Sequence, residues 1–407
     1  MAKKRLIVLM GAGASIPLKM PSVAGVDAFL SGLTEHATIN GSNPAFDYFK
    51  DRLEKYYKRS PYPDIRKSAN FEEVLYTIQF LATLASDTNF QIPLNPNLDI
   101  KNIREVFYKG STYKKPAYGG LLLNYVADLH SELLTHFRVQ IGISSCNHKA
   151  VWNNCKQFWN AIKSEFDVGV LNLNYDNTAI ETTGSKFTGF SKGEFDSASI
   201  SADESWDFTY HLHGSVHFNL VPRSTNLHTI VWKDDLTGVF HPVSSVGGSG
   251  MTTTEHLFST IITGQEKLIQ IQREPFISYY EDVGRRINGA DAILIVGYGF
   301  NDPHINNFFK RFSAKISSVP CLVMDYADPK SPTNPLTFRH DAWSYNLFQT
   351  LSLDKSMQAG APPDVQELIV NKEFETFTVG RKGSVSVWYN GFDLAWLNIS
   401  KLLAKLR

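Results

Sequence analysis

The chain has 407 residues, with 40 Lys and Arg against 40 Asp and Glu, 12 His and 3 Cys. A hydrophobic share of 43% supplies material for cores and excludes a disordered chain. Zero formal charge removes the sequence-level case for direct, nonspecific binding to nucleic acid or membrane surfaces.

In chain order, Lys3, Lys4 and Arg5 precede the apolar run Leu6 to Met10 and imitate a secretory signal. The run is short of the usual ~7–15 apolar residues. It reads as a buried strand, Arg5 to Met10, entering the glycine turn Gly11-Ala12-Gly13-Ala14-Ser15. No apolar run approaches the ~18–20 residues of a membrane span, so a cytoplasmic protein is expected. Ser22 suits an N-cap for a helix through Phe29 and Leu30. Residues 40–166 are mostly helical in pattern, as in Phe46 to Tyr57, Phe71 to Ala85 and Leu121 to Phe137. A Pro/Asn-rich loop, Asn89 to Asp99, and a Tyr/Lys/Gly segment, Tyr108 to Gly120, interrupt them. Strands return at Val168 to Leu173, Thr209 to Leu212, Ala292 to Val296 and Cys321 to Met324. Ser244 to Thr254 reads as a loop. After Pro329 come a Pro/Ser-rich stretch, a hairpin from Phe377 to Tyr389 and an amphipathic helix from Leu394 to Leu406.

Strands alternating with helices predict an α/β fold, a Rossmann-like parallel sheet with a large helical insertion and a C-terminal extension. In such sheets ligands bind at the carboxyl ends of the strands. Four clusters sit there: the glycine turn, Asn174-Tyr175-Asp176, His213-Gly214-Ser215, and Gly297-Tyr298-Gly299 with Asp302. Glycines allow a sharp turn and close approach to a pyrophosphate. A dehydrogenase would carry a third glycine where Ile16 stands, so hydride transfer is disfavoured. Asn174 and Asp176 suit a strand-terminating turn, and equally suit orienting a water. His211 and His213 face one way in a strand, but no acidic or cysteine partner has local ligand spacing, so no metal is expected. A histidine released by Gly214 suits a general base or a structural role. Asp302 before Pro303 suits an N-cap, and the glycines before it permit close approach of a ribose.

The ordered set, with Phe71-Glu72-Glu73 and Met20-Pro21-Ser22, resembles the sirtuin superfamily over residues 5–326. It is most similar to the bacterial sirtuin-like NADases of anti-phage defence, which carry N-Y-D, H-G-S and G-Y-x-x-x-D in this order. The resemblance implies a sirtuin-like NAD-binding domain over residues 1–330, with the helical insert at about 40–166. It implies NAD as substrate. Gly11, Ala12, Gly13 and Ser15 would line the pyrophosphate. Asn174 would position the attacking water, Asp176 would contact the carboxamide end, His213 would be the base near the ribose hydroxyls, and Gly214 and Ser215 would help bind the NAD. Gly297, Tyr298 and Asp302 would flank the adenosine-side ribose. Deacetylases of the superfamily carry a four-cysteine zinc ribbon, and Cys146, Cys155 and Cys321 cannot form one. The resemblance thus favours NAD hydrolysis over two alternatives, a non-catalytic NAD or ADP-ribose sensor and an NAD-dependent deacylase or ADP-ribosyltransferase. It also implies control by a homo-oligomer or a hexameric DNA-translocating ATPase partner, with residues 331–407 serving assembly or partner contacts.

Overall fold

Runs such as Leu6 to Met10 and Ala292 to Val296 carry no polar side chain, so both faces of each strand must be covered. A computed structural model describes residues 3–33, 36–59, 68–86, 103–114, 118–224, 227–246, 256–264, 267–327, 342–353, 365–379 and 383–407. The loop expected at Asn89 to Asp99, residues 247–254 of the next loop and the stretch 328–341 lie outside these. Contacts divide the chain into two units. The first comprises Met1–Met20, Val139–Ser215 and Ile271–Arg407; the second comprises Pro21–Arg138 and Val216–Gln270.

The first unit is built on one seven-stranded sheet. Its strands are β1 (Lys4–Met10), β2 (Phe166–Asn172), β3 (Phe208–His211), β4 (Ala292–Val296), β5 (Cys321–Met324), β6 (Glu375–Val379) and β7 (Gly383–Trp388). The order is β6-β7-β5-β4-β1-β2-β3. All neighbours are parallel except β6, which is antiparallel to β7. Leu6, Ile7, Val8 and Leu9 of β1 and Ile293 to Val296 of β4 are fully buried, as their composition requires. From β1 the chain moves outward to β2 and β3, then crosses to β4 on the other side of β1. This reversal between β1 and β4 opens a crevice at their carboxyl ends. Those ends are level, since Met10 pairs with both Asn172 and Val296, and Asn172 pairs with His211.

The helices that serve this sheet are α1 (Lys149–Glu165), α2 (Thr178–Thr183), α3 (Phe276–Gly289), α4 (Pro303–Arg311), α5 (Gly391–Trp396) and α6 (Ile399–Leu406). α3 is fastened to β3 by a buried arginine. Arg286 donates to Asp282 and Asp203, each at 2.8 Å, and its guanidinium lies 4.2 Å from the Phe208 ring centre. Tyr210 of β3 donates to Asp282 at 2.7 Å. A buried charge is tolerated when it is paired and hydrogen-bonded in this way.

Two features depart from the sequence reading. The hairpin beyond residue 330 is part of the sheet. β7 runs parallel to β5, from Cys321↔Val385 to Met324↔Trp388, with Val385, Val387 and Trp388 buried. The apolar face of the hairpin needs cover, and the open edge of β5 offers both cover and backbone partners. The terminal helix is split into α5 and α6.

The stretch read as a helical insert from 40 to 166 also has other bounds and contents. α1 belongs with the sheet, whereas residues 21–39 and 216–270 join the second unit. That unit holds the helices Val23–Gly32, Ala45–Lys58 and Phe71–Ser86 together with a four-stranded antiparallel sheet. Two of its strands, Glu105–Tyr108 and Ser111–Lys114, form a hairpin in the segment read as a Tyr/Lys/Gly loop. Lys109 and Gly110 both take positive φ, the signature of a two-residue hairpin turn. Two further hairpins lie between Phe218 and Ser259. Among the described residues, no helix is long and apolar enough to cross a membrane.

A chain ending at residue 330 is expected to aggregate and to lose cooperative thermal unfolding, because β5 becomes a bare apolar edge. A soluble fragment with a sharp transition, measured by circular dichroism, would show instead that the last 77 residues, 331–407, are separable from the sheet.

Candidate functional site

The site is assembled from the turns that follow β1, β2, β3 and β4. The first and last of these lie backbone to backbone. Gly11 N donates to Val296 O and Gly13 N donates to Gly297 O, both at 2.9 Å. A Cβ on Gly11 would lie 2.6 Å from Gly297 O, and one on Gly13 would lie 2.7 Å from Gly297 Cα. Gly297 itself has φ +60°, and a Cβ there would lie 2.2 Å from Ala14 N. These glycines are therefore demanded by the contact between the two turns. The N–H groups of Ala14 and Ser15 also donate within the turn. The phosphate cradle expected here is narrower than the motif suggests. Ala12 is its exposed residue, with Gly13 partly exposed beside it.

The turn after β2 is tied to the first. Asn174 Nδ2 donates to Gly11 O and to Ser15 Oγ, both at 2.9 Å. With both amide hydrogens so used, the acceptor Oδ1 is the end of Asn174 suited to hold a water. The turn is braced from within the sheet. Asn172 Oδ1 accepts from Asn174 N at 3.2 Å, and Asn172 Nδ2 donates to Asn174 O at 3.1 Å. Asp176 Oδ1 accepts from Thr178 N at 3.0 Å and from the Thr178 hydroxyl. Thr178 Oγ1 is 2.9 Å from Ser15 Oγ. Burial pushes the Asp176 carboxyl above its ordinary range, and hydrogen bonds from Thr178 and Ser15 oppose that rise. Asp176 thus braces the Ser15–Asn174 pair from below.

The turn after β3 carries the histidine. Gly214 takes φ +100°, which lets the chain leave the strand at His213. His213 Nε2 lies 3.2 Å from Asp302 Oδ2. The other carboxylate oxygen of Asp302 caps α4, accepting from His304 N at 2.9 Å and Ile305 N at 3.3 Å. One carboxylate therefore caps α4 and also faces His213. β3 and β4 are separated by two strands, about 14 Å at the usual spacing. For His213 and Asp302 to meet, their turns must lean over the ends of β1 and β2, where Gly11 and Asn174 lie.

Tyr298 is turned inward. Its hydroxyl donates toward Asp302 O at 3.2 Å and Asn306 Oδ1 at 2.7 Å, and burial pushes its pKa upward. It shapes the turn, while Gly297 and Gly299 stay partly exposed at the surface expected to face a ribose. Ser215 is fully buried beside His213.

Asn172 and Thr178 were not singled out by their sequence pattern, and His211 was weighed only as a metal ligand. Asn172 and Thr178 are the braces described above. His211, fully buried, has Nδ1 3.3 Å from Asn172 Nδ2, linking the turns after β2 and β3. The N-x-N spacing of Asn172 and Asn174 was the available signal for the first. Asp325 ends β5 level with the site, and burial raises its carboxyl to about 6. Cys155 and Cys321 are buried, and their thiols are pushed up to about 12. Among the described residues, no group of three or more His, Cys, Asp or Glu is arranged to hold a metal ion.

The family model for a SIR2-like domain matches residues 168–341. The chain carries a sirtuin-like domain. The match contains Asn174, Asp176, His213, Gly297 and Asp302, and it runs from β2 past β5. A domain of this kind goes with NAD-dependent activity in general. Among solved structures, a mutant Sir2 homologue in complex with 2'-O-acetyl ADP ribose is similar at 13% identity. That similarity covers 87% of this chain and 96% of the other, with a TM-score of 0.34. A structure from work on the structural basis of sirtuin substrate affinity is similar at 11% identity, covering 88% and 95%, with a TM-score of 0.28. No curated protein matches the chain.

Gly297→Ala is expected to lower stability by about 3 kcal/mol or more, since left-handed strain adds to overpacking against backbone. Denaturant unfolding checks this. A loss below about 1 kcal/mol would mean the two turns separate easily.

Proposed function

We propose that the sirtuin-like domain hydrolyses NAD+ to nicotinamide and ADP-ribose, and that depletion of NAD serves anti-phage defence. The observation that carries this reading is the fixed amide of Asn174. Its donors are held by Gly11 and Ser15, which leaves an acceptor ready to orient a water. The second support is a histidine backed by a buried carboxylate at 3.2 Å.

The chemistry follows from charge. The bond between ribose C1' and the nicotinamide nitrogen breaks, and its electron pair leaves with a ring that becomes neutral. Positive charge builds on the ribose, as in other glycosyl transfers. Water oxygen then bonds to C1', and its proton passes to His213. A site accelerates this step by favouring the later charge distribution. Asn174 contributes proximity, and His213 contributes base catalysis. Exposed Ala12 and the partly exposed glycines offer a backbone shelf for phosphates and ribose above these side chains.

Release of nicotinamide, followed by chromatography, is the test. His213→Ala is expected to lower turnover by about 10²–10⁴-fold, and Asn174→Ala to abolish it, with the far-UV spectrum unchanged. No nicotinamide release, by the chain alone or with the product of the adjacent gene, would overturn the proposal.

Control of the activity is part of the same reading. Ser15, Asn174, Asp176, His213 and Asp302 are each less than one-tenth exposed. NAD can reach them only after the site opens, which favours activation by assembly or by a partner such as a hexameric DNA-translocating ATPase. Light scattering is expected to give a homo-oligomer or a mixed assembly. Monomer in every mixture would count against that control.

A further inference from the structure

A cavity lies beyond the turn that follows β2. It has a volume of about 350 Å³ and is lined by residues of the first unit alone. Three helices contribute: the end of Tyr118–Asn147, α1 and α2. Ile141 and Trp152 are buried and line it. The Trp152 ring is held by its Nε1, which donates to Ser144 Oγ at 3.0 Å. Lys149 and Lys156, both exposed, are seven residues apart on α1 and therefore share a face, about 10.5 Å apart along the axis. Glu181 of α2 lines the cavity as well, and is exposed.

Another lining residue, Asn177, points to a ligand. Asn177 is 4% exposed, and its Oδ1 is buried without a hydrogen-bond partner. Asn177 precedes α2 but does not cap it with its side chain. A buried acceptor left in this state costs stability unless a donor reaches it. A bare anion has no donor to offer Asn177 and makes no use of the indole. A cation meets two ammonium groups against one carboxylate. The volume is at the small end of ligand sites, which suits one nucleotide better than two.

We propose that this cavity binds a nucleoside monophosphate. The phosphate sits with Lys149 and Lys156, the base lies against Trp152, and ribose hydroxyls donate to Asn177 Oδ1 and to Glu181. Asn177 directly follows Asp176, so the ligand grips the far end of the turn that carries Asn174. The proposal does not depend on NAD turnover, and its test measures binding.

Isothermal titration of the full chain with AMP, GMP, CMP and UMP, and with inorganic phosphate, tests it. Saturable one-site binding of at least one nucleotide is expected. The double variant Lys149→Ala/Lys156→Ala and the single variant Asn177→Ala should each weaken it at least tenfold, while His213→Ala should leave it unchanged. Absence of saturable binding overturns the proposal, as does binding that survives the lysine and asparagine changes. Binding lost in His213→Ala would assign the nucleotide to the strand ends and overturn it. Phosphate binding as tightly as every nucleotide would overturn the nucleoside assignment.

Discussion

Two backbone turns can lie in contact only where neither carries a side chain. The turns after β1 and β4 meet this condition with Gly11, Gly13 and Gly297, and Gly13 N donates to Gly297 O at 2.9 Å. The contact stands at the point where strand order reverses, so it replaces part of the crevice with peptide packing. It fixes the height of Gly11 and Ser15. Asn174 is then oriented by both of them. Without the glycine contact there is no fixed carbonyl at Gly11 for the asparagine to grip.

The polar side chains of the candidate site hold the fold and one another together. Asp302 caps α4 with one oxygen and faces His213 with the other. Asp176 holds Thr178, which in turn meets Ser15. Such a chain is stable when buried because every member has a partner, and it is rigid for the same reason. Rigidity suits an oriented water. The cavity lined by Trp152 and Lys156 adjoins the same turn at Asn177.

Much of the first unit was legible from composition. β4 and β5 throughout, and β1 from Leu6 onward, are uncharged apolar runs, and they read as buried strands because nothing polar breaks them. Asp302 followed by Pro303 announced a helix start, and the structure has one there. The sheet edge was not legible. β6 and β7 alternate as any exposed hairpin would, and pairing with β5 is a long-range choice that local pattern does not encode. The hairpin turning at Lys109 and Gly110 was missed because Lys-Gly is a weak turn signal beside Asn-Gly or Asp-Gly, and Lys109 takes positive φ only in the folded turn.

By itself the sequence determined the strands, their glycine and polar turns, and the order of motifs, since these depend on residue type and spacing along the chain. Even the three cysteines, too few for a four-cysteine zinc site, could be weighed before any fold was known. Only the tertiary structure decided what each motif touches. It turned Tyr298 inward, spread one aspartate over two tasks, and used the glycines against each other. Those outcomes depend on which strands become neighbours and how level their ends lie, and both are set by packing between residues hundreds of positions apart.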